Sequence, residues 1–97
     1  MLKENIQNKT TYLKTFTLRN KDIAEIKSDI QKHMILIIRI TPLAQKDVDE
    51  LRIVIEDLYK SVASLGGDIS RLGEERIIIT PPNVKIWHRQ NDAETGR

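Results

Sequence analysis

The residue types that perform most enzyme chemistry are few in this chain, and they stand far apart. The two histidines, His33 and His88, occur at the end of a predicted helix and in a polar C-terminal stretch. A histidine near a helix C-terminus is more often a partner of the helix dipole than a catalytic base or a metal ligand. The chain has no cysteine, which excludes disulfides and thiolate metal sites. These features argue against acid–base, redox and zinc chemistry.

Carboxylates and hydroxyls also lack the neighbours that catalysis needs. Three acids stand where the longest predicted helix begins, where negative charge complements the helix dipole: Asp47, Asp49 and Glu50. Glu74 and Glu75 belong to a predicted turn. Three serines have no base nearby in the sequence: Ser61, Ser64 and Ser70. We therefore expect a protein that is not an enzyme and that uses no cofactor and no metal.

The glycines have positions that suit turns rather than phosphate binding. Gly66 and Gly67 follow the longest predicted helix, and Gly73 lies in a predicted hairpin turn. Phosphate-binding loops follow a strand and open a helix, so that backbone amides point at the anion. Here the order is reversed. Gly66 is instead expected to end the helix in the left-handed conformation.

Hydrophobic periodicity predicts the element order β-α-β-α-β-β-β. The strands are expected at residues 11–19, 34–41, 67–72, 76–80 and 83–87, with helices at 20–33 and 44–65. Five short strands and two helices predict an α/β (α+β) two-layer sandwich, in which both helices cover one face of a mixed sheet. A sheet so rich in isoleucine has an apolar second face, which predicts a homodimer.

The second helix has the clearest apolar pattern. Its stripe repeats at intervals of three and four residues: Ala44, Val48, Leu51, Ile55, Leu58, Val62 and Leu65. Tyr59 and Ala63 widen the stripe on one flank. Because this stripe is wider than one sheet needs, we assign part of it to the dimer interface, through Ile55, Leu58, Val62 and Leu65.

Length and charge limit the remaining possibilities. The chain has 97 residues, enough for one domain, which we place at 11–88 between a linker (1–10) and a flexible tail (89–97). No apolar run is long enough to cross a bilayer.

The net charge of +2 leaves one alternative open, a small basic α/β dimer that binds nucleic acid. Basic and aromatic residues do not cluster as a base-stacking surface requires, so we expect no nucleic-acid partner.

Residues 64–84 carry a resemblance to a known family. They read Ser-Leu-Gly-Gly-Asp-Ile-Ser-Arg-Leu-Gly-Glu-Glu-Arg-Ile-Ile-Ile-Thr-Pro-Pro-Asn-Val. This series of a glycine pair, a basic residue, a tight turn, an aliphatic strand and Thr-Pro resembles the SepF family. The similarity extends over roughly residues 12–87 and includes the upstream strand that ends in Thr-Pro-Leu.

The resemblance implies a cell-division adaptor. SepF proteins have a dimeric α/β core that binds the C-terminal tail of FtsZ, the tubulin-like division protein. They carry an N-terminal amphipathic helix that lies on the membrane, which would place this chain in the cytoplasm at the division site. Arg71 matches the family's basic residue beside the tail-binding groove, and Ile77 matches its apolar neighbour. The expected groove also includes Tyr59, Val62 and Leu72.

Two departures from the family pattern qualify this reading. The membrane helix is missing, because Met1 leads directly into the predicted linker. Lys60 replaces a glycine that is common in bacterial members, which argues against tight helix-to-helix polymerisation, and Ile77 replaces an aromatic residue that is common there. These two substitutions and the composition favour an archaeal member.

Overall fold

The computed structural model describes residues 10–87, and the structural statements below refer to that part of the chain. Its strands are β1 (Leu13–Thr17), β2 (Ile35–Arg39), β3 (Asp68–Leu72) and β4 (Arg76–Thr80). Its helices are α1 (Ile23–Gln31), α2 (Thr41–Lys46) and α3 (Val48–Ser64), with one 3-10 turn at Asn20–Asp22. The predicted linker, the predicted tail and His88 lie outside the described residues, apart from Thr10.

The strands form one mixed sheet in the order β1-β2-β4-β3. The neighbours β1 and β2 are parallel and joined through α1, whereas β4 runs antiparallel to both β2 and β3. β1 and β3 are therefore the edge strands. The predicted α+β class is confirmed.

All three helices cover the same face of the sheet. On that face Leu36 pairs with Ile79, and Ile38 pairs with Ile77. These four side chains belong to one buried cluster with residues from every helix: Ile26, Ile30, Leu43, Val54, Leu58 and Val62. The opposite face, here called the open face, has no helix against it among the described residues. Ile37 and Ile78 pair at its centre.

The predicted fifth strand is wrong. Residues 83–87 follow the sheet without joining it. Pro81 and Pro82 supply no amide hydrogen, and the amide of Val84 donates to the Pro81 carbonyl in a turn. The amide of Ile86 then approaches a side chain, Asp68 Oδ2, at 3.5 Å. Its partner is thus a carboxylate rather than a neighbouring backbone.

The single long helix that periodicity predicts is two helices. Asp47 separates α2 from α3, because its backbone is extended, with φ −161° and ψ 100°. Its Oδ1 accepts a hydrogen bond of 3.1 Å from the amide of Glu50, which caps α3. The buried side of α3 also differs from the predicted stripe, since Val54 is buried and Val48 is exposed.

An ionic cluster holds β1 against α1. Lys14 Nζ lies 2.9 Å from both Asp29 Oδ2 and Glu25 Oε2, and Asp29 is only 2% exposed. The hydrogen bond to Asp29, followed by that to Glu25, raises the pKa of Lys14 above its usual 10.5. The cluster thereby neutralises a buried carboxylate and fixes the edge strand.

Gly66 adopts the left-handed conformation that the sequence predicts for it. Gly66 and Gly73 both have a φ of +79°, which side-chain-bearing residues rarely adopt. Gly67 has a different requirement, because a Cβ there would collide with the carbonyl oxygen of Thr80. The end of α3 can therefore approach the end of β4 only with glycine at that position.

Candidate peptide-binding groove

An open groove of about 260 Å³ runs between α3 and the edge strand β3. It is lined by one apolar and one amphipathic residue of the helix, three residues of β3 and one of β4: Ile55, Tyr59, Ile69, Ser70, Arg71 and Ile77. Below it is called the α3–β3 groove.

The helical wall follows from the periodicity of α3. Ile55 and Tyr59 are one turn apart and share one side of the helix. The opposite flank of α3 faces α1, where Lys27 and Asp57 form an ion pair of 2.6 Å. Because α1 occupies that flank, the side of α3 that carries Ile55 and Tyr59 is left beside the exposed edge of the sheet. Tyr59 is 57% exposed, so its ring is available to a ligand.

The strand wall follows from the two-residue repeat of β3. Ile69 and Arg71 point to the helix face, where they pair with Ile79 and Ile77 of β4. Ile77 is 2% exposed and forms the floor. The groove is therefore apolar at its base, with a cation at the end nearest the β3–β4 turn.

The guanidinium of Arg71 is positioned but is not neutralised by any other side chain of the described residues. Its Nη2 donates a hydrogen bond of 3.3 Å to the carbonyl oxygen of Glu74 in the turn. Within residues 10–87, none of the ion pairs at or below 4.0 Å involves Arg71. Its remaining donors can thus bind a carboxylate.

β3 also offers hydrogen bonds along the groove. It pairs with β4 on one side and is the last strand of the described sheet on the other. In an antiparallel pair, alternate residues of an edge strand direct their backbone N–H and C=O groups outward. An extended peptide beside β3 could therefore pair with its backbone while its side chains enter the groove.

Three of the five residues predicted for the groove come together, and two do not. Arg71, Ile77 and Tyr59 line it, together with Ile69, which sequence reasoning missed. Leu72 points to the open face, because successive strand residues alternate. Val62 is fully buried farther along α3. The two-residue spacing from Arg71 was the signal that could have identified Ile69.

The four residues predicted for the dimer interface do not form one surface. Leu58 and Val62 are fully buried inside this chain, so they have no surface left for a second copy. Ile55 lines the groove and Leu65 packs at the edge of the core, both half-buried. The apolar surface available to a partner lies instead on the open face, where Ile35, Ile37 and Ile78 are half-buried and Leu13 and Leu72 are exposed.

The described residues contain no assembled metal centre. No group of three or more His, Asp or Glu side chains in residues 10–87 could hold a metal ion. None of the helices in that range is long and apolar enough to span a membrane. The α3–β3 groove offers a ligand apolar contact and one positive charge.

Comparison with known proteins identifies the family. Residues 14–86 match the family model described as cell division protein SepF, which covers most of the chain. The fold is similar to that of a SepF-like protein from Archaeoglobus fulgidus, with a TM-score of 0.75 and 27% identity over 82% of this chain and 96% of that chain. A SepF-like protein from Pyrococcus furiosus gives a TM-score of 0.73 and 24% identity over 81% and 96%. No curated protein matches the sequence.

Proposed function

We propose that this chain, which belongs to the family of the cell division protein SepF, is a non-enzymatic adaptor whose core binds the C-terminal tail of FtsZ. The observation that carries the proposal is the α3–β3 groove, whose apolar base lies beside Arg71 and beside β3, and within residues 10–87 Arg71 has no ion-pair partner and β3 is an edge strand. Tails of this kind are mixed acidic and apolar peptides. The groove offers complementary chemistry to each part of such a peptide.

Different parts of the groove would bind different parts of the tail. Apolar side chains of the tail would bury area against Ile55, Ile69 and Tyr59, which supplies most of the affinity. A carboxylate of the tail would accept hydrogen bonds from Arg71 and set the direction of the peptide. Backbone pairing with β3 would hold the tail extended.

We further propose that two copies associate through the open face. Ile37 and Ile78 pair at its centre, Ile35 lies beside them, and the exposed Leu13 and Leu72 lie on the two edge strands. Contact between two such faces would remove this apolar area from water. It would leave both α3–β3 grooves accessible, because they lie on the helix side of the sheet.

The adaptor function also requires a link to the membrane. By resemblance to the family, an amphipathic segment N-terminal to the core would lie on the cytoplasmic face of the membrane. A dimer with two grooves and two such anchors would hold FtsZ polymers there by avidity, since the second contact is intramolecular once the first is made.

Calorimetric titration of the cognate FtsZ tail peptide tests the proposal. We expect saturable binding with one peptide per chain and a dissociation constant in the micromolar range. A peptide of the same composition in scrambled order is the control. Absence of binding at high micromolar peptide would refute the adaptor function of this core.

A further inference from the structure

A second charged feature lies on the open face, at the end where β2 finishes and β4 begins. Arg39 and Arg76 are paired in register across these neighbouring strands. Their Cα atoms are therefore about 4.5–5.5 Å apart, and both side chains are exposed on the same side of the sheet. Like charges placed directly opposite each other destabilise a sheet.

Nothing in the described chain neutralises this pair. The ion pairs at or below 4.0 Å within residues 10–87 involve neither arginine. Lys14 of β1 differs from these two arginines, because it contacts two carboxylates. The two guanidinium groups thus form a local concentration of positive charge in a chain whose charges are otherwise interspersed.

The pair borders a hollow that carries hydroxyl groups. The hollow has a volume of about 300 Å³ and is lined by Arg39, Arg76, Ile37, Phe16, Thr15 and Thr17. Thr17 pairs in register with Arg39, so it lies on the same face, and Thr15 lies two residues before it. The guanidinium groups of β2 and β4 and the hydroxyl groups of β1 therefore line the same hollow.

We infer that this hollow, the Arg39–Arg76 site, binds a phosphate group. A carboxylate has two oxygens, which a single guanidinium can already satisfy in bidentate fashion. A terminal phosphate has three free oxygens and close to two negative charges, so it can accept from both arginines and from a threonine hydroxyl at once. The site lies on the opposite side of the sheet from the α3–β3 groove, and it does not depend on the proposed tail binding.

The site lies at the rim of the proposed dimer interface. The apolar pairs that would join two copies are centred on Ile37 and Ile78, whereas Arg39 and Arg76 stand at the strand ends. A bound phosphate would remove the repulsion between the two arginines and, on approach of a second copy, between the arginines of both chains. The ligand is therefore expected to favour the dimer.

The experiment measures binding of inorganic pyrophosphate to the full chain by calorimetry, at an ionic strength held constant with sodium chloride. We expect one site per chain. The double variant R39Q/R76Q should bind at least tenfold more weakly, and K60Q, which removes a charge from the exposed side of α3, should bind as wild type does. Succinate, a dicarboxylate, should bind at least tenfold more weakly than pyrophosphate.

Thermal unfolding of the same variants separates binding from folding. Without pyrophosphate, R39Q/R76Q should melt no lower than wild type, because the variant loses a repulsive pair. With pyrophosphate, only wild type and K60Q should gain in melting temperature. Equal pyrophosphate affinity in wild type and R39Q/R76Q, or equal affinity for succinate and pyrophosphate, would overturn the inference.

Sedimentation with vesicles identifies the source of the phosphate. Vesicles of phosphatidic acid, whose headgroup is a terminal phosphate, in phosphatidylcholine are compared with vesicles of phosphatidylcholine alone. Pelleting that R39Q/R76Q loses and pyrophosphate inhibits assigns the site to a lipid headgroup. Pyrophosphate binding without pelleting assigns it to a soluble phosphate compound, and pelleting of R39Q/R76Q without pyrophosphate binding in wild type contradicts the inference.

Discussion

Arg71 of β3 and Ile77 of β4 are paired in register. Arg71 is exposed, whereas Ile77 is buried, with only 2% of its surface accessible. Both point to the helix face, but Arg71 stands on the edge strand, where its guanidinium reaches the turn carbonyl of Glu74. Ile77 lies one strand farther in, beneath α3. The charge of the groove can thus be altered without touching the core, whereas a lysine in place of Ile77 would bury an unpaired charge and unfold the domain.

Arg71→Glu should weaken binding of the FtsZ tail at least tenfold, about 1.4 kcal/mol. The substitution replaces attraction to the carboxylates of the tail with repulsion, and the effect should shrink as salt rises. The measurement is calorimetric titration of the tail peptide into the wild type and the variant.

Lys60→Glu is the matched control for that substitution. It makes the same change in net charge on the side of α3 that faces neither the groove nor α1, and it should leave tail affinity within about twofold. Equal tail affinity of wild type and Arg71→Glu would show that the tail binds elsewhere on the domain.

Tyr59→Ala should lower tail affinity without lowering stability by more than about 0.5 kcal/mol, since Tyr59 is 57% exposed in the free protein. Ile53→Ala removes a comparably exposed apolar side chain, 67% exposed, from the far side of α3. The two variants should differ in tail affinity, measured by calorimetry. They should not differ in stability, measured by urea unfolding. A loss of affinity in both would assign the effect to α3 as a whole.

Ile78→Lys should convert the proposed dimer into a monomer of 11.2 kDa, measured by light scattering at micromolar concentration. The lysine would place a charge at the centre of the open face, where burial against a second copy would remove it from water. Ile53→Lys introduces the same charge on α3 and should leave the dimer intact. A monomeric wild type, or a dimeric Ile78→Lys variant, would contradict association through this face.

Lys14→Met should lower the melting temperature at neutral pH, because it leaves the carboxylate of Asp29 buried without its nearest cation. The pKa of Lys14 is raised in the folded state, so protonation favours folding. Its contribution to stability is complete below the unfolded pKa near 10.5 and is lost as pH rises through the folded value. The difference in melting temperature between wild type and variant should therefore be constant from neutral pH to about 10 and shrink above it. A constant difference throughout would show that Lys14 acts by packing alone.

The local order of the chain was determined by the sequence. The alternation in β1, the aliphatic run of β2 and the glycine at the end of α3 each specify an element through side-chain periodicity or backbone freedom. The α+β class and the family resemblance follow from their order. Local signals also misled in two places, because the apolar stripe continues across Asp47 although that residue separates two helices and caps the second, and residues 83–87 alternate without pairing.

Only the tertiary structure decided which side chains share a surface. Periodicity shows that Leu58 and Val62 are apolar, but it does not show that their own sheet covers them completely. Adjacent residues such as Arg71 and Leu72 separate onto opposite faces once β3 pairs with β4. Residues 37 positions apart, Arg39 and Arg76, meet because β2 and β4 are neighbours in the sheet. Strand order and register bring together residues that are distant in the chain. No local sequence pattern indicates which of these residues will meet.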